Sequence, residues 1–142
     1  MSQIQIGQGP GNLVPDSEQR QFLAAAAIGR GQVVTLDIGA SGIAKGYTVE
    51  PADSDGTNLD LVVGVAAEDI ASGAWGNVVV SGYCAYVLTD GSVAVGDPLV
   101  PHTVAGEAST MAAGEEHLVF GMALSTDTGT TEYSDAIIFK RV

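Results

Sequence analysis

The amino-acid sequence predicts an all-β protein: a small β-barrel or sandwich of about eight to ten short strands with an extended N-terminal arm. Two observations predict this fold class. Nineteen of the 142 residues are glycine, and many of them separate short apolar runs that are rich in Val and Tyr. Runs of β-branched and aromatic residues bounded by turn residues are typical of strands. The second observation is that no long stretch repeats its apolar residues at the spacing of a helix.

Residues 1–30 are predicted to be an N-terminal arm and a lead-in segment, and residues 31–142 a β-domain. Ile4 and Ile6 alternate with polar residues, which is the period of a half-buried strand, and a Gly-Pro-Gly break follows. A detached strand on such a linker is suited to pairing with the sheet edge of another subunit; a frayed terminus is the alternative. Residues 16–27 fit either a capped helix or a strand that leads into the domain.

Residues 32–66 are predicted to supply three strands. Residues 32–38 form the first strand, and residues 43–49 return as its partner after a glycine turn. The polar connection at residues 51–60 holds several Asp side chains, which are potential calcium ligands. It lacks the twelve-residue register and the terminal Glu of a calcium loop, so we favour an Asp-rich turn. Residues 61–66 form the third strand.

The middle of the domain is predicted to hold two more strands and a hairpin. Residues 77–80 and 83–88 are apolar runs separated by Ser and Gly, which predicts two separate strands. The Asp90-Gly91 pair is a strong short-range hairpin signal, and it predicts that residues 93–95 return alongside residues 83–88.

The last third of the chain is predicted to alternate between loops and strands. Residues 102–114 are small and polar, so we expect a long exposed loop. Residues 118–124 are continuously apolar and bounded by turns, which predicts a strand buried on both faces. Residues 136–142 form the closing strand.

The charges are unevenly distributed along the chain. Seventeen acidic residues against five basic ones give a net charge of −12, which argues against direct binding of nucleic acid. No Lys or Arg lies between residues 46 and 139, whereas fourteen Asp and Glu do. One interpretation is a solvated acidic surface. The other is that the two ends of the chain meet and form a contact face, with the acidic middle toward solvent.

Three segments in the middle of the chain carry a family resemblance. Residues 62–66 read VVGVA, residues 76–82 read GNVVVSG and residues 93–99 read VAVGDPL. This order resembles the small β-domain of the capsid decoration (cement) proteins of tailed bacteriophages, over roughly residues 31–142. The resemblance favours a strand over a helix for residues 16–27.

The resemblance implies a structural virion protein that is synthesised in the host cytoplasm. Such a protein binds the outside of the assembled major capsid protein and stabilises the shell by bridging neighbouring subunits. A homo-oligomer is expected, with a trimer favoured over a dimer. The alternative is a head- or tail-fibre module that recognises host glycans through exposed aromatic residues, here Trp75, Tyr83 and Tyr133. The residues expected to contact the capsid or another partner are Ile4, Ile6, Arg20, Arg30, Trp75, Lys140 and Arg141.

No pattern of catalytic or ligand-binding residues points to an enzyme. Cys84 is the single cysteine, which excludes an internal disulfide and a multi-cysteine metal site. His102 and His117 lack metal-ligand spacing, and the chain has neither a nucleophile elbow nor a phosphate loop. No apolar run approaches the ~20 residues that span a bilayer, and the N-terminus lacks the features of a secretory signal. We therefore expect no cofactor, no metal, no nucleic acid and no membrane partner.

Overall fold

The structure, a computed structural model, describes residues 17–52, 61–127 and 132–139. The regular secondary structure of this part of the chain is almost entirely β, with two short 3-10 helices at Gly42–Gly46 and Glu116–Leu118. None of the helices in these ranges is long and apolar enough to cross a membrane. The described ranges contain nine strands: β1 (Ser17–Ala24), β2 (Val33–Leu36), β3 (Thr48–Pro51), β4 (Val62–Ala66), β5 (Trp75–Thr89), β6 (Pro98–Pro101), β7 (Ala108–Thr110), β8 (Gly121–Ala123) and β9 (Glu132–Ile138). The prediction of a small all-β domain with eight to ten strands is confirmed.

The long strand β5 belongs to two closed circuits of strands. Its first half pairs with β1 and β4, and a circuit of five strands closes in the order β1-β3-β2-β4-β5. Its second half pairs with β7 and β9, and a second circuit closes in the order β5-β7-β6-β8-β9. We call these circuits the first barrel and the second barrel. Each of the nine described strands therefore has a neighbour on both sides.

Two hydrophobic cores lie on opposite faces of a shared wall. β4 is buried at all five positions: Val63 faces the core of the first barrel, and Val62 and Val65 face the core of the second. The pairing of β4 with β2 shifts register between Val62 and Gly64, which interrupts the alternation of faces once. β2 divides in the same way, with Val34 in the first core and Val33 in the second. Successive side chains of a strand point to opposite faces, so a strand between two cores must be apolar throughout. This requirement explains the unbroken apolar run of β4.

The two strands predicted at residues 77–80 and 83–88 form one strand, so the prediction of a turn between them is wrong. Gly82 has a φ of 90°, a left-handed conformation that glycine adopts without strain, and it stays within β5 as an irregularity. It pairs with both Ser17, the first residue of β1, and Ile138, the last residue of β9. β5 thus continues from the first barrel into the second instead of ending.

The predicted Asp90-Gly91 hairpin is also wrong. The turn does end β5, but residues 93–95 do not return as a strand. Val93 points into the second core and is 1% exposed, whereas Val95 is exposed and its backbone N donates to the hydroxyl of Thr126. Val93 is therefore stabilised by burial in the second core and not by strand pairing with residues 83–88.

Three further segments differ from their predicted structures. Residues 118–124 were expected to be a strand buried on both faces, but β8 has only three residues and Met122 is 40% exposed. The expected loop at residues 102–114 contains β7, which pairs with β6. Ile43 lies in a 3-10 helix, and the partner of β2 begins only at Thr48. By contrast, the strand expected within residues 16–27 is confirmed as β1.

A buried carboxylate connects strands of the second barrel. Asp127 is 8% exposed and accepts hydrogen bonds from the hydroxyls of Thr89 on β5 and Ser134 on β9. Its backbone N donates to the carbonyl oxygen of Val93, 2.8 Å away. A buried charge is costly unless hydrogen bonds compensate it, and two hydroxyl donors provide that compensation here.

Gly64 offers a direct test of how closely β4 packs against β5. A Cβ atom built on Gly64 would overlap the carbonyl oxygen of Val79 and would lie 2.9 Å from its carbonyl carbon. Backbone atoms cannot move aside as a flexible side chain can, so Gly64→Ala should lower the free energy of unfolding by at least about 2 kcal/mol. Chemical denaturation measures the change. The control is Gly46→Ala, because nothing lies within 4 Å of that position. Equal stability of the two variants would contradict the described β4–β5 packing.

Candidate functional site

A groove of about 390 Å³ lies where the two barrels meet. Its sides come from the start of β1, from the residues that follow β4 and from the middle of β5. The groove is lined mainly by apolar and aromatic side chains, with Arg30 as the one charged residue. We call it the waist groove; its lining residues are Ser17, Gln19, Arg30, Ala66, Ala67, Val79, Tyr83, Cys84, Ala85 and Tyr86.

An irregularity in β5 creates the aromatic rim of the waist groove. The pairing of β5 with β9 shifts by one residue between Cys84 and Val87. As a result, Ala85 and Tyr86 are both exposed, while the residues on either side of them are buried. A regular strand would have turned one of these two side chains into the core.

Arg30 is held in place by contacts to both its backbone and its side chain. Its backbone N donates to the carboxylate of Asp69, 2.8 Å away. Its guanidinium lies 3.9 Å from the centroid of the Tyr86 ring, within the range of a cation–π interaction. The Tyr86 ring in turn meets the Tyr133 ring edge to face, with centroids 6.0 Å apart. We call Arg30, Tyr86 and Tyr133 the waist cluster.

Gly31 allows Tyr133 to approach the backbone. Its φ is 90°, and a Cβ atom at this position would lie 2.7 Å from Cε1 of Tyr133. On the Tyr133 side of Arg30 is a second hollow, of about 440 Å³, lined by Arg30, Ala67, Glu68, Asp69 and Tyr133. Tyr86 and Tyr133 remain 45% and 53% exposed. The waist cluster is therefore ordered by its own contacts and still presents ring surface to solvent.

Two groups in the waist groove have a raised pKa. The Tyr83 hydroxyl donates to Oδ2 of Asp135, 3.1 Å away. Losing that proton would break the hydrogen bond and place two negative charges together, so the pKa of Tyr83 is above its ordinary value. Burial raises the pKa of the Cys84 thiol because the thiolate would be poorly solvated there.

A second aromatic surface lies at the start of β5. The rings of Trp75 and Tyr47 stack with centroids 5.2 Å apart and planes at 30°. Trp75 is 54% exposed, and Ile43, four residues before Tyr47, is 86% exposed. Ile70, by contrast, is 3% exposed and packs in the first core.

The structure describes three of the seven residues expected to contact a partner. Arg30 lies at the waist, and Trp75 lies at the start of β5. Arg20 lies on β1 opposite Val78 and forms an ion pair with Glu18 at 3.4 Å, which contributes little because both side chains are exposed. Arg30 and Trp75 therefore belong to two different surfaces, the waist groove and the aromatic surface at the start of β5. The remaining four lie outside the described residues: Ile4, Ile6, Lys140 and Arg141.

The first and last described strands meet at one residue of β5. Ser17 and Ile138 both pair with Gly82, so the chain enters and leaves the described sheet beside one residue. Sequence reasoning missed the other members of the two aromatic surfaces, Tyr47 and Tyr86. Tyr86 is exposed because of a strand irregularity that no sequence pattern marks. Tyr47 follows a glycine in a turn-rich segment, a weak signal for exposure.

No metal site is visible among residues 17–52, 61–127 and 132–139. In these ranges, no group of three or more His, Cys, Asp or Glu side chains is arranged to hold a metal ion. His102 lies 3.8 Å from Asp90, a single pair that is charged on both sides only when the imidazole is protonated. The Asp-rich segment at residues 53–60 lies outside the described residues.

Comparisons with known proteins find a related fold. No protein-family model matches the chain, and no curated protein matches it. A solved structure does match: the N base of the head fiber gp8.5 of bacteriophage phi29. The two chains share this fold. The match has a TM-score of 0.55 and covers 87% of this chain and 95% of that chain, at 16% sequence identity.

The reactivity of Cys84 tests the burial of the waist groove floor. The side chain is 5% exposed, and its raised pKa keeps the thiol protonated near neutral pH. The thiolate is the reactive form, so the native protein should react with an aromatic disulfide reagent at least ~100-fold more slowly than the denatured protein at the same mildly alkaline pH. Because Cys84 is the only cysteine, absorbance of the released thiolate measures it alone. Equal rates in the two states would contradict the described burial.

Proposed function

We propose that the protein is a non-enzymatic structural component of a phage head, which attaches to the outside of the shell of major capsid protein and stabilises it. The observation that carries the proposal is the fold: the match to the N base of a phage head fiber covers 87% of the chain. At 16% identity this likeness concerns the fold, so the role itself is our inference.

The architecture supports a role as a rigid connector. Two closed barrels share β5, so a force applied to one barrel passes into the other through a continuous strand and its backbone hydrogen bonds. Each copy that binds only the assembled shell stabilises that shell by its binding free energy. Many copies on one lattice add their contributions, and a single rigid body that contacts two neighbouring subunits links them directly.

We also propose that the protein works as a homo-oligomer, with a trimer favoured over a dimer. A cross-strand row of one half-buried and two exposed residues supports self-association: Tyr83 on β5 pairs with Ile137 on β9, which pairs with Met122 on β8. Ile137 and Met122 are 37% and 40% exposed. Adjacent apolar side chains on a sheet surface are typical of an interface between subunits.

Purified shells test the proposed function directly. Recombinant protein added to mature shells that lack it should co-sediment with them in a saturable manner, and decorated shells should rupture at a higher temperature than bare shells. Immature shells of the same capsid protein serve as the control for binding to the mature lattice. Saturable binding without a rise in rupture temperature would support attachment and contradict stabilisation. No binding at any concentration would contradict the proposed function as a whole.

A second candidate function is recognition of a neutral glycan. The observation that favours it is the hollow beside the waist cluster, where the half-exposed ring of Tyr133 stands next to the side chains of Glu68, Asp69 and Arg30. An exposed aromatic face with several hydrogen-bonding groups around it is suited to a sugar ring, which has both apolar and polar sides. An uncharged ligand would not be repelled by a protein with a net charge of −12.

A glycan array tests this second function. The unmodified protein should bind a defined subset of neutral glycans, and Tyr133→Ala should reduce that binding at least ~10-fold because the stacking surface is removed. Trp75→Ala is the matched control, since Trp75 is equally exposed and lies on the other aromatic surface. An array without specific binding, or equal binding by Tyr133→Ala, would exclude glycan recognition at this hollow.

A further inference from the structure

We infer that the surface formed by Tyr47, Trp75 and Ile43 is the face by which the protein docks on the outer surface of the assembled shell. This inference rests on the proposed function and adds the location of the contact and the chemistry of its partner. We call the three residues, together with Lys45, the Trp75 surface. The expected partner is a protein surface with an apolar centre and a neutral or acidic rim.

The first argument is the exposure of large apolar side chains in one small region. Ile43 is 86% exposed and is the most exposed large apolar residue of the described chain. It lies in the same short 3-10 segment that leads into Tyr47, and Tyr47 stacks on Trp75. Trp and Tyr are enriched among the residues that contribute most to protein–protein binding, because a rigid ring buries a large area.

The second argument is that the Trp75 surface is prearranged. The backbone N of Leu23 on β1 donates to the carbonyl oxygen of Tyr47 at 2.8 Å, which fixes Tyr47 beside the first barrel. Leu23 also pairs with Trp75 across β1 and β5. Two residues held by the same strand neighbour keep their rings stacked before any partner arrives. Side chains that are already ordered lose less conformational entropy on binding.

The third argument is electrostatic. The two segments that build the surface, residues 38–49 and 70–76, contain Lys45 and no acidic residue. Elsewhere the chain is strongly acidic, with a net charge of −12. Three acidic residues flank these segments in sequence: Asp37, Glu50 and Asp69. Asp37 accepts a hydrogen bond from the backbone N of Gly39, and Asp69 accepts one from the backbone N of Arg30. This end of the molecule can therefore approach a neutral or acidic protein surface with less charge repulsion than the acidic remainder of the chain.

Two other exposed apolar surfaces fit this role less well. In the row of Tyr83, Ile137 and Met122, the Tyr83 hydroxyl is hydrogen-bonded to the carboxylate of Asp135. This row belongs to the second barrel, where residues 82–127 and 132–139 contain no Lys or Arg. The waist groove is concave and its Arg30 is already stacked on Tyr86. The Trp75 surface, in contrast, is not recessed, since Ile43 is 86% exposed.

Variant binding to mature shells tests the inference. Trp75→Ala should weaken co-sedimentation about 30-fold, the effect of removing one hot-spot residue. Ile43→Asp should weaken it at least as much, because it places a charge at the centre of the contact. Ile43 is 86% exposed, so the substitution leaves the core packing intact. Val104→Asp is the matched control: Val104 is 52% exposed, lies on another loop, and receives the same new charge. Circular dichroism of each variant checks that the fold is retained.

Radical footprinting of the unmodified protein gives a second, independent readout. Oxidation of Trp75, the only tryptophan, should fall at least ~5-fold on docking, whereas oxidation of Met122 should stay unchanged. If the unmodified protein binds shells but the variants bind equally and Trp75 stays reactive, the inference is wrong and the proposed function stands. If the variants instead break up the oligomer in free solution, a second copy covers this surface and the inference is also wrong. Failure of the unmodified protein to bind shells overturns the proposed function first.

Discussion

The pairing of β5 with four other strands is the constraint on which the rest of the structure depends. Residues 75–82 complete one circuit and residues 82–89 complete another, so neither barrel can close unless β5 runs unbroken through both. The long-range backbone pairs that result are slow to form, but they are cooperative once formed. Two positions require glycine. At Gly82, where β1 and β9 both pair with β5, the backbone is left-handed, and at Gly64 a Cβ atom would overlap the carbonyl oxygen of Val79.

This constraint also explains where exposed aromatic residues occur. One irregularity in β5 turns Tyr86 outward and creates the rim of the waist groove. The beginning of the same strand carries Trp75, which pairs with Leu23 and stacks on Tyr47. The two surfaces differ in character: the waist groove is concave and borders acidic side chains, and the Trp75 surface protrudes and contains none. A single strand thus positions two chemically different contact regions.

Sequence reasoning predicted the fold class correctly because glycine-bounded apolar runs are a local property. It failed where tertiary pairing decides the outcome. Residues 77–80 and 83–88 form one strand because Gly82 pairs with both Ser17 on β1 and Ile138 on β9. Each of these partners is more than fifty residues from Gly82 in sequence. Residues 118–124 are apolar, yet Met122 faces outward, so apolar character alone did not predict which side chains are buried. Trp75 was predicted to be a contact residue, but its stacking partner Tyr47 is distant in sequence and was not.

The meeting of Ser17 and Ile138 at Gly82 makes the chain suitable for rearrangement of its connectivity. Since the first residue of β1 and the last residue of β9 pair with the same glycine, a covalent link between them need span only a short distance. New termini could then be opened in the exposed Gly42–Gly46 segment without interrupting any strand. A circularly permuted chain of this kind would place any fused cargo beside Ile43 and the Trp75 surface.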